Sequence, residues 1–215
     1  MGSWVGKIVS EAARYAAFIE PEGLVREMVI AWKDRVTQRW PHAAYLAHPP
    51  HCTIWVGEVN DGDVVRRSLE DAASKVPRFS IAIPSSAVFH DDVFSGGGQT
   101  CVFAATLTDR MTDLQMALCE AIREHRQETT DEQLPAALRR EPFLQSWRRY
   151  AFPFVGPHWI PHFTVASLPA RRDDPVIAEF LETSPSAEMW LREVSWWRIT
   201  GERHERLGSL LLASS

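Results

Sequence analysis

Apolar side chains run almost unbroken from Tyr15 to Ile19, which predicts a strand, and after Glu20-Pro21 the pattern turns helical. Leu24, Val25, Met28, Ala31, Trp32 and Val36 recur at helical spacing, so a helix with proline in its first turn is expected to bury that stripe up to about Arg39, with Pro41 ending it. Pro49-Pro50 then forces extended backbone. Beyond it the period drops to two: His51, Thr53 and Trp55 share one face of a strand, and Cys52, Ile54 and Val56 the other. Asn60-Asp61-Gly62-Asp63 is a turn opening a helix through Val64, Val65, Leu69, Ala72 and Ala73, with Asp63 taken as the helix-opening aspartate. Phe79 to Ile83 alternates as a strand, breaks at Pro84 and resumes from Ala87 to Phe89. After the Ser95-Gly96-Gly97-Gly98 loop come a strand from Thr100 to Leu107 and a helix capped by Thr108, with Met111, Leu114, Leu118 and Ile122 as its stripe.

From Gln127 to Trp159 no period holds, and then the earlier pattern returns. His162, Thr164 and Ala166 oppose Phe163 and Val165 in a strand, and Asp174-Pro175 opens a helix carrying Val176, Ile177, Phe180 and Leu181 that ends at Ser184-Pro185. Strands over Met189–Thr200 and Leu207–Ala213 finish the chain, with Trp190, Trp196 and Trp197 expected in core and lobe packing. A lone His-x-Thr is a weak signal. Here two copies, each behind a proline, lie 111 residues apart, from 51 to 162, and the aspartates at 63 and 174 repeat that spacing. A shared offset is the mark of an internal duplication. Each half reads strand, helix, His-x-Thr strand, helix, strand, about 15–99 and 100–213, with an insertion at about 127–159 where the first half has only Trp40 to Pro50. The expected fold is α+β and bilobal, a single domain over 1–215 whose two pseudo-twofold halves each carry an antiparallel-rich sheet and outer helices around a central cleft.

Composition narrows the partners. The chain has 215 residues, 45% of them hydrophobic, which is enough for a substantial core. A formal charge of −5 argues against binding long duplex nucleic acid, which needs Lys and Arg to neutralise phosphates. No apolar run is long enough to span a bilayer, so no membrane partner is expected. Cys52, Cys101 and Cys119 are odd in number and lack C-x-x-C spacing, which reads as reduced core cysteines of a cytoplasmic protein, expected to be a monomer.

Two imidazoles facing one groove can serve as base and acid near neutral pH, and two neighbouring threonine hydroxyls can donate to the nonbridging oxygens of a phosphodiester. Opening a five-membered cyclic phosphodiester needs those parts and no cofactor. His158 and His162 have the i, i+4 spacing of helical zinc ligands, but Pro161 disfavours the helix, so no metal site is expected. Gly96-Gly97-Gly98 lacks the GK[ST] ending of a phosphate loop and reads as a hairpin connection. Tyr150 and Trp159, at the end of the insertion, serve either as stacking surfaces for a base or as core.

At these residues the chain resembles the 2H phosphoesterase superfamily, which includes bacterial 2′-5′ RNA ligase-like proteins and cyclic nucleotide phosphodiesterases. His51-x-Thr53-Ile54-x-Val56-Gly57 is similar to its first motif and Pro161-His162-x-Thr164-Val165-Ala166 to its second, and the element order fits from about Tyr15 to Ala213. The resemblance implies His51 and His162 as the acid/base pair and Thr53 and Thr164 as phosphate donors. It implies substrates among 2′,3′-cyclic ends of nucleotides or RNA, 2′-5′ linkages and ADP-ribose 1″,2″-cyclic phosphate, with a 2′-phosphate as product of the first. Many relatives carry a basic residue where this chain has Ser167; Arg148, Arg149 and Arg171 are the candidates to replace it. A binding module that kept the pocket without turnover is the rival reading.

Overall fold

The structure is a computed structural model, and residues 13–214 are described. In chain order they form β1 (Arg14–Ile19), α1 (Gly23–Arg39), β2 (Cys52–Gly57), α2 (Gly62–Ala73), β3 (Phe79–Ile83), β4 (Ser85–Asp92), β5 (Gly98–Ala104), α3 (Asp109–Arg123), α4 (Phe143–Tyr150), β6 (His162–Leu168), α5 (Pro175–Glu182), β7 (Ala187–Leu191), β8 (Glu193–Thr200) and β9 (Arg203–Leu211). The fold is α+β with antiparallel sheets in two lobes. One sheet has the order β2-β1-β8-β9, the other β4-β5-β6, and β3 pairs with β7 between them. The pseudo-twofold is visible in these orders, because β2-β1-β8 in one lobe corresponds to β6-β5-β4 in the other.

The lobes interleave the sequence halves. β8 and β9 complete the sheet that β1 and β2 begin, while β4 joins β5 and β6. The helices cross as well: α1, which follows β1, packs on β6, and α3, which follows β5, packs on β2. The α2 helix supports β8 and β9, and α5 supports β4 and β5. Each lobe therefore depends on chain from both halves, and the main apolar cluster runs continuously from Ile19 and Trp55 to Phe103, Phe163 and Trp196. Among the described residues no helix is long and apolar enough to cross a membrane.

Several expectations need correction. Met189–Thr200 is two strands, because the chain leaves the β3 pair after Leu191 and enters the four-stranded sheet at Glu193. The buried face of α1 is Val25, Val29, Lys33 and Val36, whereas Leu24 is 54% exposed and Ala31 is exposed. An apolar residue off the stripe stays in solvent, and the lysine is tolerated inside because its Nζ reaches two carbonyls. Asp61, not Asp63, caps α2: its Oδ1 accepts from the amides of Asp63 and Val64 at 2.9 and 3.1 Å. The helix caps Asp61 and Asp174 thus do not keep the histidine spacing. Trp196 and Trp197 are buried, but Trp190 is 55% exposed.

The two His-x-Thr strands share an irregularity that simple alternation misses. Pairing of β1 with β2 steps from Trp55 to Thr53, skipping Ile54, and pairing of β5 with β6 steps from Ala166 to Thr164, skipping Val165. From 54 to 165 is again 111 residues. An extra residue in one strand resets which side later residues face. Ile54 and Trp55 therefore both enter the core, as do Val165 and Ala166, while Val56 turns to the small cluster of Ala16, Phe18 and Trp197. Trp55 and Ala166 were expected beside the histidines; they anchor the strands from behind.

Gln115 on α3 holds the back of β2. Fully buried, it donates from Nε2 to the carbonyls of Ile54 (3.1 Å) and Phe154 (2.9 Å), and its Oε1 accepts from the Gly156 amide (2.8 Å). Replacing it by Met keeps the volume but strands three buried backbone groups, each of which costs on the order of 1–3 kcal/mol when unpaired. Gln115→Met is expected to lower unfolding free energy by about 3 kcal/mol in urea titrations. A loss well under 1 kcal/mol would mean that these groups find other partners.

Candidate functional site

β2 and β6 are each the last strand of their sheet, and these two edges meet where the lobes join. The His162 backbone N–H is directed at the Cys52 thiol, and the Trp159 indole Nε1–H donates to the Thr53 carbonyl at 2.9 Å. Burial pushes the Cys52 thiol up to about 12, so it stays protonated and is not a nucleophile.

His51 directly precedes β2, and His162 is the first residue of β6. Their rings are fixed alike. Nδ1 of His51 lies 2.6 Å from the Pro49 carbonyl, and Nδ1 of His162 lies 2.6 Å from the Ile160 carbonyl, each two residues back. A carbonyl can only accept, so Nδ1 carries the proton and Nε2 is left with its lone pair. Aromatic packing completes the orientation: Phe18 stacks on His51 at 3.8 Å between centroids, and Phe89 meets His162 edge-on at 4.8 Å. Thr53 and Thr164 follow at two residues' distance and are half-buried, on the side opposite the core.

Burial pulls the His51 imidazole down to about 3; the Pro49 carbonyl opposes this, and His48, His204 and Lys33 reinforce it. Burial lowers His162 too, against the pull of the Ile160 carbonyl and the Asp92 carboxylate. Both rings are thus neutral near pH 7 in the unliganded protein. An anion placed beside either ring would favour that ring's imidazolium form.

Other expected residues lie elsewhere. Tyr150 is 5% exposed, with its hydroxyl donating to Glu120 (2.6 Å) and its carbonyl accepting from the Trp55 indole (2.8 Å). Trp159 is 4% exposed and bonded to Thr53. Neither ring has a free face for a base; the two aromatics are core, and Trp159 positions the first motif. Arg148 pairs with Asp131, Arg149 with Glu120 and Arg171 with Asp173. Ser167 is buried, its Oγ 2.6 Å from that of Ser95. Within the insertion, α4 packs on α3.

The short link before β2 supplies what the insertion does not. Tyr45 and His48 sit on it, and Lys33 holds it by donating to the carbonyls of Tyr45 (2.6 Å) and Leu46 (3.2 Å). Tyr45 has φ of 69°, a left-handed conformation that is strained for a bulky residue and is kept by these bonds. Its ring edge meets His48, while burial, with Asp92 nearby, pushes its hydroxyl up to about 12, leaving it a donor. His204, on β9, lies 4.4 Å from His48 between ring centroids. No spacing marks these residues in the sequence; the one hint is that His48 shares the proline-framed run with His51. Among the described residues no group of three His, Cys, Asp or Glu side chains is placed to hold a metal ion.

The fold agrees with comparison to known proteins. No curated protein matches the chain in sequence. The crystal structure of TT0787 of Thermus thermophilus is similar over 94% of this chain and 99% of its own, with a TM-score of 0.60 and 13% identity. Escherichia coli LigT complexed with 3′-AMP is similar over 94% and 99%, with a TM-score of 0.54 and 14% identity, and LigT complexed with ATP over the same shares at 0.55 and 13%. At such identities the likeness is one of fold. The sequence model of the 2′-5′ RNA ligase superfamily matches residues 24–203, a span that takes in both His-x-Thr strands and most of both lobes, and the chain belongs to that family, the 2H phosphoesterases.

Proposed function

We propose that this phosphoesterase-family protein opens 2′,3′-cyclic phosphates of nucleotides or RNA ends without a metal, with His51 and His162 as acid/base pair and Thr53 and Thr164 donating to the nonbridging oxygens. The matched Nδ1 tethers of the two histidines, on strands that abut, carry this reading. One free Nε2 takes the proton of a water whose oxygen attacks phosphorus. The bond from phosphorus to the 3′ oxygen breaks, and the Nε2–H of the other imidazolium protonates the departing alkoxide, leaving a 2′-phosphate. The threonine hydroxyls meet the charge that grows on the phosphoryl oxygens. Structures of LigT with 3′-AMP and with phosphate support a nucleotide phosphate as the ligand class.

In a panel of 2′,3′-cyclic nucleotides, cyclic-ended short RNAs, 2′-5′ linked dinucleotides and ADP-ribose 1″,2″-cyclic phosphate, the first two are expected to turn over, unaffected by EDTA. His51→Ala and His162→Ala should each lower kcat by about 10²- to 10⁴-fold, and Thr53→Val or Thr164→Val by about 10²-fold. Binding without hydrolysis across the panel would instead make this a binding module. Hydrolysis untouched by His162→Ala would end the two-histidine scheme.

kcat/KM reports the free enzyme, where burial lowers both imidazoles from 6.5, so both limbs of its bell shift to the acid side and kcat/KM should fall as pH rises above about 6.5. kcat reports the complex, where the bound anion favours imidazolium, and its alkaline limb should lie higher. Identical profiles for the two constants would contradict this account.

A further inference from the structure

A third imidazole is tethered as the two motif histidines are. His204 has Nδ1 3.1 Å from the Glu202 carbonyl, again two residues back, so its Nε2 is likewise left free. It enters the sheet opposite Ile199, beside the cluster of Phe18 and Trp197 on which His51 rests. His48, from the link, stands 4.4 Å from His204 and 6.3 Å from His51, and His204 lies 6.5 Å from His51, all between ring centroids. The half-buried pair faces the cationic Lys33 from α1 and the neutral imidazole of His51 at the start of β2. Tyr45 presents only its ring edge, the Asp92 carboxylate acts on Tyr45 and His162, and Glu205, next along β9, is held by Arg198 at 2.6 Å. Among the described residues no carboxylate acts on His48 or His51, and imidazoles gathered in this way repel one another when charged, a repulsion that an anion relieves.

We propose that His48 and His204 form a second anion subsite beside His51, which receives the phosphate neighbouring the scissile one and so selects substrates that carry two phosphates. The inference rests on the reading of His51 as part of the phosphate site. The 6.3 and 6.5 Å from His51 are comparable with the spacing of successive phosphates along a single strand. The second phosphate has two sources, the 5′-phosphate of a mononucleotide or the internucleotide diester of an RNA end. A phosphate also suits two neighbouring imidazoles, since hydrogen bonds from ring N–H groups to an anion are charge-assisted and so the stronger kind. Because His48 is pulled by burial down to about 4, binding there draws in protons and tightens as pH falls.

Titration calorimetry with adenosine 3′-phosphate, adenosine 3′,5′-bisphosphate and a dinucleotide 3′-phosphate tests this without requiring turnover. The wild type is expected to bind at least one two-phosphate ligand about tenfold more tightly than the monophosphate, and which one identifies the source. In His48→Gln, His204→Gln and the double variant that ratio should fall towards one. Equal affinities in the wild type, or a preference that survives the double variant, would overturn the subsite. Should the variants fold poorly, salt decides with the wild type alone: an ionic preference shrinks as salt rises, and a salt-insensitive one overturns the proposal. A preference seen in a protein that hydrolyses none of the cyclic phosphates keeps the subsite and removes only the hydrolytic reading.

Discussion

Two sheet edges that would otherwise be exposed meet each other, and the site exists because they do. An edge strand presents unpaired N–H and C=O groups that a protein must cover. Here β2 and β6 cover one another at the lobe junction, and some of their spare groups are taken by side chains: the Trp159 indole on the Thr53 carbonyl, the Gln115 amide on the Ile54 carbonyl, the Cys52 thiol under the His162 N–H. The register skips at Ile54 and Val165 belong to the same solution. Each sends two successive apolar side chains backwards into the core and leaves the preceding threonine forward, so a strand end is rigid and still presents a polar group.

Interleaving of the halves makes that junction hard to separate. If each lobe were built from its own half, the lobes could part about a single linker. Instead β8 and β9 are bound into the sheet of β1 and β2, β4 into the sheet of β5 and β6, and β3 pairs with β7. Moving one lobe away from the other would break apolar packing that runs continuously through both. The proposed catalysis by His51 and His162 needs their separation held, since small misplacements of reacting groups cost rate.

Much of this was legible in the sequence, for reasons that can be named. Strands and helices follow from the period of apolar residues, and the Thr108 cap and the Asp174-Pro175 helix start follow from local chemistry. Both His-x-Thr strands stand out because a proline and a shared offset frame them. Sheet partners do not show, because nothing local to Glu193–Thr200 says that it pairs with Arg14–Ile19. The same blindness hid His204, whose nearness to His51 depends on β9 lying beside β8. Tyr150 and Trp159 misled because an aromatic before a motif has the same composition whether it faces a ligand or the core. Only their partners, Glu120 and Thr53, distinguish the two.

Length also proved a poor guide to position. The insertion at 127–159 has the arginines and aromatics of a binding lid, yet its helix rests on α3, and Arg148 and Arg149 rest on the carboxylates of Asp131 and Glu120. The ten or so residues from Trp40 to Pro50 do more, since that link starts on α1 in one lobe and ends at β2 in the other, so its path crosses the junction. A segment obliged to cross must expose side chains there. Its strained Tyr45 and the buried Lys33 that clamps it are the marks of a path fixed by the fold, and the residues on such a path are placed as firmly as those on a strand.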